Sequence, residues 1–167
     1  GESDHKLRKL LRRCRRENPQ AVLVLTGCMP QAFPEQAAAL TEADIVLGNA
    51  ARSSLPAQVR RFLTLGQRIV EIPPHGGKFE SLSIGEFQGR TRAFVKIEDG
   101  CNRFCSYCII PYARGRVRSK PPEELEREIR ALAEKGYGEM VLVGINLTAY
   151  GQEWGQTIAD AVDTACA

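Results

Sequence analysis

The sequence alternates short apolar runs with stretches of helical periodicity, and this alternation constrains the fold more than any other feature. Residues 21–26 are apolar almost throughout, as is typical of a parallel strand that is buried on both faces. A second, shorter apolar run follows at residues 45–47, and apolar residues at spacings of three and four surround both runs. Strands that alternate with helices predict an α/β fold with a parallel, doubly wound sheet.

A second α/β stretch begins after an irregular segment. Residues 91–97 alternate apolar and polar side chains, a helical period follows Pro121-Pro122, and residues 140–143 form another apolar run. The segment between the two stretches contains Pro73-Pro74 and Gly76-Gly77, which is typical of a linker. We therefore predict a first domain over residues 1–72, a linker over 73–90 and a second domain over 91–167.

Composition excludes several classes of protein. The chain has 167 residues, of which 43% are hydrophobic and 26% charged, unlike a disordered chain or a coiled-coil rod. No apolar run approaches the roughly 20 residues that span a bilayer, and no segment resembles a secretory signal peptide. We therefore expect a cytoplasmic protein with no membrane partner. The net charge of +3 is too small to indicate nucleic-acid binding by itself.

Three of the six cysteines lie within eight residues. Cys101, Cys105 and Cys108 have the spacing Cys-x-x-x-Cys-x-x-Cys, in a loop that follows the strand predicted at residues 91–97. Such clustering in a reducing compartment indicates a metal or redox site rather than disulfides. Three thiolates can hold three irons of a [4Fe–4S] cluster and leave the fourth iron open. The alternative is a structural zinc site, but zinc commonly takes four ligands and no further Cys or His follows nearby.

The residues around this motif identify a family. The motif, with the aromatic Tyr107 before its third cysteine, resembles the signature of radical S-adenosylmethionine (SAM) enzymes. Asp99-Gly100-Cys101-Asn102 and the segments at residues 108–119 and 140–151 resemble the methylthiotransferase branch of that superfamily. The resemblance covers essentially the whole chain, and it is strongest to the members that modify threonylcarbamoyladenosine in tRNA.

The resemblance implies both a fold and a site. The fold is a partial Rossmann- or flavodoxin-like N-terminal methylthiotransferase domain, followed by the first strand–helix units of a radical SAM (β/α) barrel. The motif cysteines hold a [4Fe–4S] cluster whose open iron binds SAM, and Tyr107 packs near the adenine. Gly144 and Asn146 are further candidates for SAM contact, because they follow a barrel strand at its carboxyl end.

A second cysteine site is implied by the resemblance alone. Cys28 follows the first buried run, where a single cysteine is commonly a small buried hydrophobe. The N-terminal domain of the family uses three cysteines to bind an auxiliary [4Fe–4S] cluster, and Cys28 matches the Gly-Cys-x-x-Gln context of the third. The first two are then expected upstream of Gly1. Cys14 and Cys166 lie on helical stripes and are expected in the core.

Basic residues are concentrated between Arg90 and Lys120, where eight of them face only two acidic residues. A basic field suits a phosphate-bearing substrate, and the aromatic residues interleaved with it can stack on unpaired bases. Arg114, Arg116 and Arg118 are the candidates for RNA contact. The alternative is a charged loop that only faces solvent.

The resemblance implies an enzyme that adds a methylthio group to a threonylcarbamoyl-modified adenosine beside the anticodon of tRNA. In the family, the reduced cluster cleaves SAM to a 5′-deoxyadenosyl radical, and the auxiliary cluster delivers sulfur. We expect tRNA as substrate, flavodoxin or ferredoxin as electron donor, and a monomer. Two alternatives stay open: the same chemistry on a ribosomal protein or on prenylated adenosine in tRNA, and a zinc-binding RNA-binding module without turnover.

The chain is expected to be an internal fragment that is inactive alone. A complete (β/α)₈ barrel needs roughly 200 residues or more. Only residues 91–167 follow the predicted linker, which is enough for about two strand–helix units. The first domain is expected to be truncated at its start and the second at its end.

Overall fold

The structure is a computed structural model that describes residues 2–81 and 91–167. The chain divides into two compact units. The first comprises the chain up to Gly76 together with Tyr112–Arg114, and the second comprises Gly77–Pro111 and Gly115–Ala167. The boundary at Gly76 falls inside the predicted linker, of which residues 82–90 lie outside the described part. The sequence pattern does not predict that Tyr112–Arg114 clusters with the first unit.

A parallel three-stranded sheet organises the first unit. Its strands are β1 (Val24–Thr26), β2 (Ile45–Leu47) and β3 (Ile69–Glu71), in that spatial order. Val46 pairs with Leu25 on one side and with Val70 on the other. All three residues of the central strand β2 are buried, which is why the run is apolar throughout.

Helices cover both faces of this sheet. They are α1 (Glu2–Glu17), α2 (Cys28–Ala32), α3 (Pro34–Ala38) and α4 (Leu55–Leu65), with a 3₁₀ turn at Asn49–Ser54. Val46 shares a core cluster with Leu11 of α1, whereas its neighbour Leu47 shares another with Val59 of α4. Because adjacent strand residues face opposite sides of a sheet, the two clusters lie on opposite faces. The predicted α/β arrangement with parallel strands is confirmed.

The first strand is shorter than the apolar run that predicts it. The run covers residues 21–26, but only Val24–Thr26 joins the sheet. Nη1 of Arg15 donates to the Ala21 carbonyl at 3.0 Å, and the Leu23 N–H donates to the Asp44 carboxylate at 2.7 Å. These side chains form hydrogen bonds with backbone groups that would otherwise pair with a neighbouring strand. The start of the apolar run therefore does not join the sheet.

The rest of the chain contains four strands and three helices within its described residues. These are β4 (Arg92–Lys96), β5 (Glu98–Asp99), α5 (Ile110–Arg114), β6 (Arg118–Ser119), α6 (Pro122–Glu134), β7 (Glu139–Val143) and α7 (Ile158–Cys166), with a 3₁₀ turn at Leu147–Ala149. β4 and β7 pair in parallel, and β5 and β6 pair antiparallel. None of the helices in residues 2–81 and 91–167 has both the length and the apolar character needed to cross a membrane.

The core of the second unit lies between the β4–β7 pair and its helices. Val95 of β4 is fully buried in one cluster with Leu125 and Leu132 of α6. Tyr150 closes this core, and its hydroxyl donates to the Lys120 carbonyl at 2.9 Å. Two parallel strands with a helix between them are consistent with part of a radical SAM domain, as the sequence predicts.

Candidate functional site

The carboxyl ends of β4 and β7 lie side by side. The N–H of Ile97 donates to the Val143 carbonyl at 2.9 Å, so the two strands stay paired up to their last residues. β4 leads into β5 and the cysteine loop at residues 100–117, and β7 leads into residues 144–146. Both segments therefore leave the same edge of the sheet, the edge at which parallel α/β proteins place their ligand sites.

Two backbone hydrogen bonds shape the cysteine loop. The Cys101 N–H donates to the Gly115 carbonyl at 3.0 Å and closes the base of the loop. The Cys108 N–H donates to the Cys105 carbonyl at 2.9 Å and folds the second half of the motif into a turn. Between them, Phe104 has a φ of 47°, in the left-handed region that side chains rarely adopt.

The motif cysteines are compatible with an iron–sulfur cluster as a donor set. All three are free; Cys105 is exposed, and Cys101 and Cys108 are half-buried. Within residues 2–81 and 91–167, no three His, Cys, Asp or Glu side chains lie close enough together to hold a single metal ion. A structural zinc ion commonly takes four ligands, whereas a [4Fe–4S] cluster can take each of three thiolates on a separate iron.

Gly100 allows the base of the loop to close. Its φ is 90°, and a Cβ there would lie 2.7 Å from the Gly115 oxygen and even closer to the Arg116 oxygen. We expect Gly100→Ala to lower the free energy of unfolding by about 3 kcal/mol or more, because left-handed strain adds to overpacking against backbone. Gly136→Ala is the matched control, with a φ of 86° and no atom within 4 Å of its Cβ. Equal losses for both variants in urea unfolding would contradict the cost assigned to the close approach.

Glu98 is a buried carboxylate at this edge that the sequence reasoning missed. It has no exposed surface, and its Oε2 accepts the Asn146 N–H at 2.7 Å. Burial raises the pKa of Glu98, and the N–H groups of Asn146 and Ile145 oppose that rise. The carboxylate thus connects the end of β4 with the segment that follows β7.

The predicted SAM contacts lie in these two segments. Tyr107 is 91% exposed within the cysteine loop, so its ring is accessible to a ligand. Gly144 is exposed and Asn146 is half-buried, directly after β7. Their roles in binding SAM stay predictions.

The three arginines predicted to contact RNA have different surroundings. Arg118 is only 8% exposed, and its Nη2 lies 3.9 Å from Oδ2 of Asp99; its contact with RNA stays a prediction. Arg116 is exposed, and its guanidinium lies over the Phe104 ring at 4.8 Å from the ring centroid. Arg114 is half-buried in the segment that clusters with the first unit.

Cys28 begins α2 and is half-buried. Nδ2 of Asn49 lies 3.7 Å from its Sγ, and the same amide donates to the Ala113 carbonyl at 2.6 Å, within the first unit. The carbonyl acceptor orients the amide, so Asn49 presents an N–H to the sulfur. Hydrogen bonds to sulfur suit a thiolate that ligates an iron–sulfur cluster.

The remaining cysteines only partly match the expected core positions. Cys14 is half-buried, but Cys166 is exposed, so its predicted core position is wrong. Cys166 is the last residue of α7, whose buried residue is Ala161, five residues earlier in the helix. The apolar positions of α7 thus extend beyond the part of the helix that packs against the core.

Sequence reasoning missed Asn49, Glu98 and Asp99, although a signal for each was present. Each is a polar residue at the end of a parallel strand or within three residues of it. Polar residues at the carboxyl ends of parallel strands are candidates for a site on topological grounds.

Comparisons with known proteins agree with this geometry. Residues 95–161 match the Radical SAM superfamily. The chain is 39% identical over 152 residues to threonylcarbamoyladenosine tRNA methylthiotransferase MtaB of Bacillus subtilis (strain 168), covering 90% of this chain and 34% of that protein. It is 40% identical over 146 residues to tRNA-2-methylthio-N(6)-dimethylallyladenosine synthase of Clostridium novyi (strain NT), covering 85% of this chain and 32% of that protein.

A third relative shows the same partial coverage. MtaB of Aquifex aeolicus (strain VF5) is 36% identical over 160 residues, covering 93% of this chain and 38% of that protein. The chain therefore spans about a third of the length of the curated relatives it matches. Residues 95–161 of this chain thus match the Radical SAM superfamily, and about nine tenths of the chain is similar to part of relatives named as tRNA methylthiotransferases.

Proposed function

We propose that this chain is part of a radical SAM enzyme that transfers a methylthio group to a modified adenosine of tRNA. The observation that carries the proposal is the position of the motif Cys101, Cys105 and Cys108. Its three free cysteines lie in a loop at the carboxyl edge of β4, inside the region that matches the superfamily. The names of the relatives supply the reaction and the tRNA substrate.

The motif cysteines hold a [4Fe–4S] cluster, and the neighbouring segments bind SAM. When bound, the cluster supplies the electron for reductive cleavage of SAM. The Gly115 carbonyl holds Cys101 at the base of the loop, and the turn at Cys105–Cys108 places the other two thiols on the same short segment. Tyr107 packs against the adenine of SAM, and Gly144 and Asn146 contact SAM from the end of β7.

Cys28 is one ligand of a second [4Fe–4S] cluster that supplies sulfur. The Asn49 amide supports this role, because its N–H faces Sγ of Cys28 from a side chain that is only 3% exposed. A donor fixed by packing stabilises thiolate charge without reorganisation.

The substrate is threonylcarbamoyladenosine of tRNA, which the names of the MtaB relatives support, and its position beside the anticodon follows from the family resemblance. Dimethylallyladenosine in tRNA is the second candidate, because a relative named for that substrate is 40% identical. Arg116 and Arg114 are the basic residues that we assign to RNA contact. A flavodoxin or ferredoxin as electron donor, a monomeric state and a cytoplasmic location complete the proposal.

Anaerobic reconstitution of the chain with iron and sulfide tests the central assignment. We expect about four iron and four sulfide per chain and a broad visible absorption, because the three motif cysteines form a complete ligand set for such a cluster. Cys166→Ala is the control and should load equally, since Cys166 is exposed at the end of α7. A colourless protein that binds one zinc per chain would contradict the proposal and favour the zinc-binding RNA-binding module.

A further inference from the structure

Glu98 connects two chain segments that are far apart in sequence. We propose that Glu98 is a positioning residue that holds residues 144–146 in the conformation that binds SAM. The identity of the ligand rests on the proposed function, whereas the positioning rests on the geometry. Glu98 itself is not assigned a contact with SAM.

A side-chain hydrogen bond of Glu98 connects the segments that follow β4 and β7, beyond the paired residues of the two strands. The ladder ends at the pair Lys96 and Val143. Beyond it, Oε2 of Glu98 accepts the N–H of Asn146, which is 48 residues away in sequence, at 2.7 Å. The N–H of Ile145 also favours the charged form of Glu98 and so lowers its pKa. The carboxylate thus fixes the Asn146 backbone group in the segment that follows β7.

The cost of burying a carboxylate indicates that this hydrogen bond is the reason for an acidic residue at position 98. Glu98 is fully buried, and its Oε1 makes no hydrogen bond within the described parts of the chain. A buried carboxylate is costly, and an apolar side chain of similar size is commonly as stable or more stable at such a position. Packing alone therefore does not account for Glu98, but its hydrogen bond to the Asn146 N–H does.

Gly144 lies close against the side chain of Glu98. A Cβ on Gly144 would lie 2.9 Å from Oε2 of Glu98 and 3.1 Å from its Cβ. It would also lie 2.9 Å from Cδ2 of Leu147, so we expect a larger residue at position 144 to disturb the hydrogen bond between Glu98 and Asn146. Gly144 and Glu98 therefore belong to the same contact.

Two variants of Glu98 test the positioning role. Glu98→Gln keeps a carbonyl oxygen that accepts the Asn146 N–H, whereas Glu98→Met keeps the size of the side chain and removes the acceptor. Amide hydrogen exchange of Asn146 should be about tenfold faster or more in Glu98→Met and near wild type in Glu98→Gln, because only the methionine variant lacks an acceptor for that N–H. The dissociation constant for SAM, measured on the reconstituted protein, should rise about tenfold in Glu98→Met and be restored in Glu98→Gln.

The outcomes separate this inference from the proposed function. Unchanged exchange in Glu98→Met would overturn the positioning role, and so would equal loss of SAM affinity in both variants, since that requires the charge rather than the acceptor. If wild type binds no SAM, the proposed function fails while the exchange measurement still decides the positioning. If Glu98→Met does not fold, Gly144→Ala disrupts the same contact from the other side, and unchanged exchange of Asn146 there overturns the inference.

Discussion

In a protein that has the full length of the relatives and contains this segment, replacement of Cys105 by alanine is expected to reduce SAM cleavage to background and to lower the iron content after reconstitution. A cluster held by two thiolates rather than three loses iron, and Cys105 is the exposed member of the set. Cys101→Ala and Cys108→Ala should have the same effect, because the three ligands act as a unit. The measurement is paired quantification of bound iron and of 5′-deoxyadenosine.

Tyr107→Ala is the matched variant from the same loop. Its side chain is almost fully exposed, so its loss should leave the cluster in place. We expect SAM binding to weaken by up to about tenfold, since an aromatic contact contributes roughly 0.5–1.5 kcal/mol.

Formation of 5′-deoxyadenosine by Cys105→Ala at the wild-type rate would contradict the assignment of the cysteine motif.

The second large effect concerns the two cysteine sites. In a protein that has the full length of the relatives and contains this segment, Cys28→Ser should keep most 5′-deoxyadenosine formation and eliminate the methylthiolated nucleoside. Cys108→Ser should eliminate both. The reason is that Cys28 and Cys108 belong to different compact units, so loss of one ligand set leaves the other intact.

The measurement for this pair is analysis of nucleosides after digestion of tRNA, together with 5′-deoxyadenosine from the same reaction. Cys166→Ala serves as the control for removal of a thiol outside both sites. A normal amount of methylthiolated nucleoside from Cys28→Ser would mean that Cys28 is a structural thiol and not a cluster ligand. Asn49 would then only orient the backbone at Ala113.

The features that the sequence determined by itself are local. The apolar residues of β2 and the spacing of Leu125 and Leu132 in α6 predict a strand and a helix that the structure contains. Hydrophobic periodicity reports such elements because each residue is buried or exposed according to the period of its own strand or helix. The cysteine motif is local in the same sense, since its three thiols lie in one loop of eight residues.

Tertiary structure decided which residues meet across the fold. The contact of Glu98 with Asn146, the approach of Asn49 to Cys28 and the burial of Arg118 beside Asp99 all join residues that are separated in sequence. Sequence periodicity shows that a polar residue follows a strand, but not which backbone group it reaches, because that depends on the register of β4 with β7 and on the close approach at Gly144. The sequence alone thus determined the elements and the cysteine motif, and only the packing of parallel strands at one edge determined the surroundings of the site.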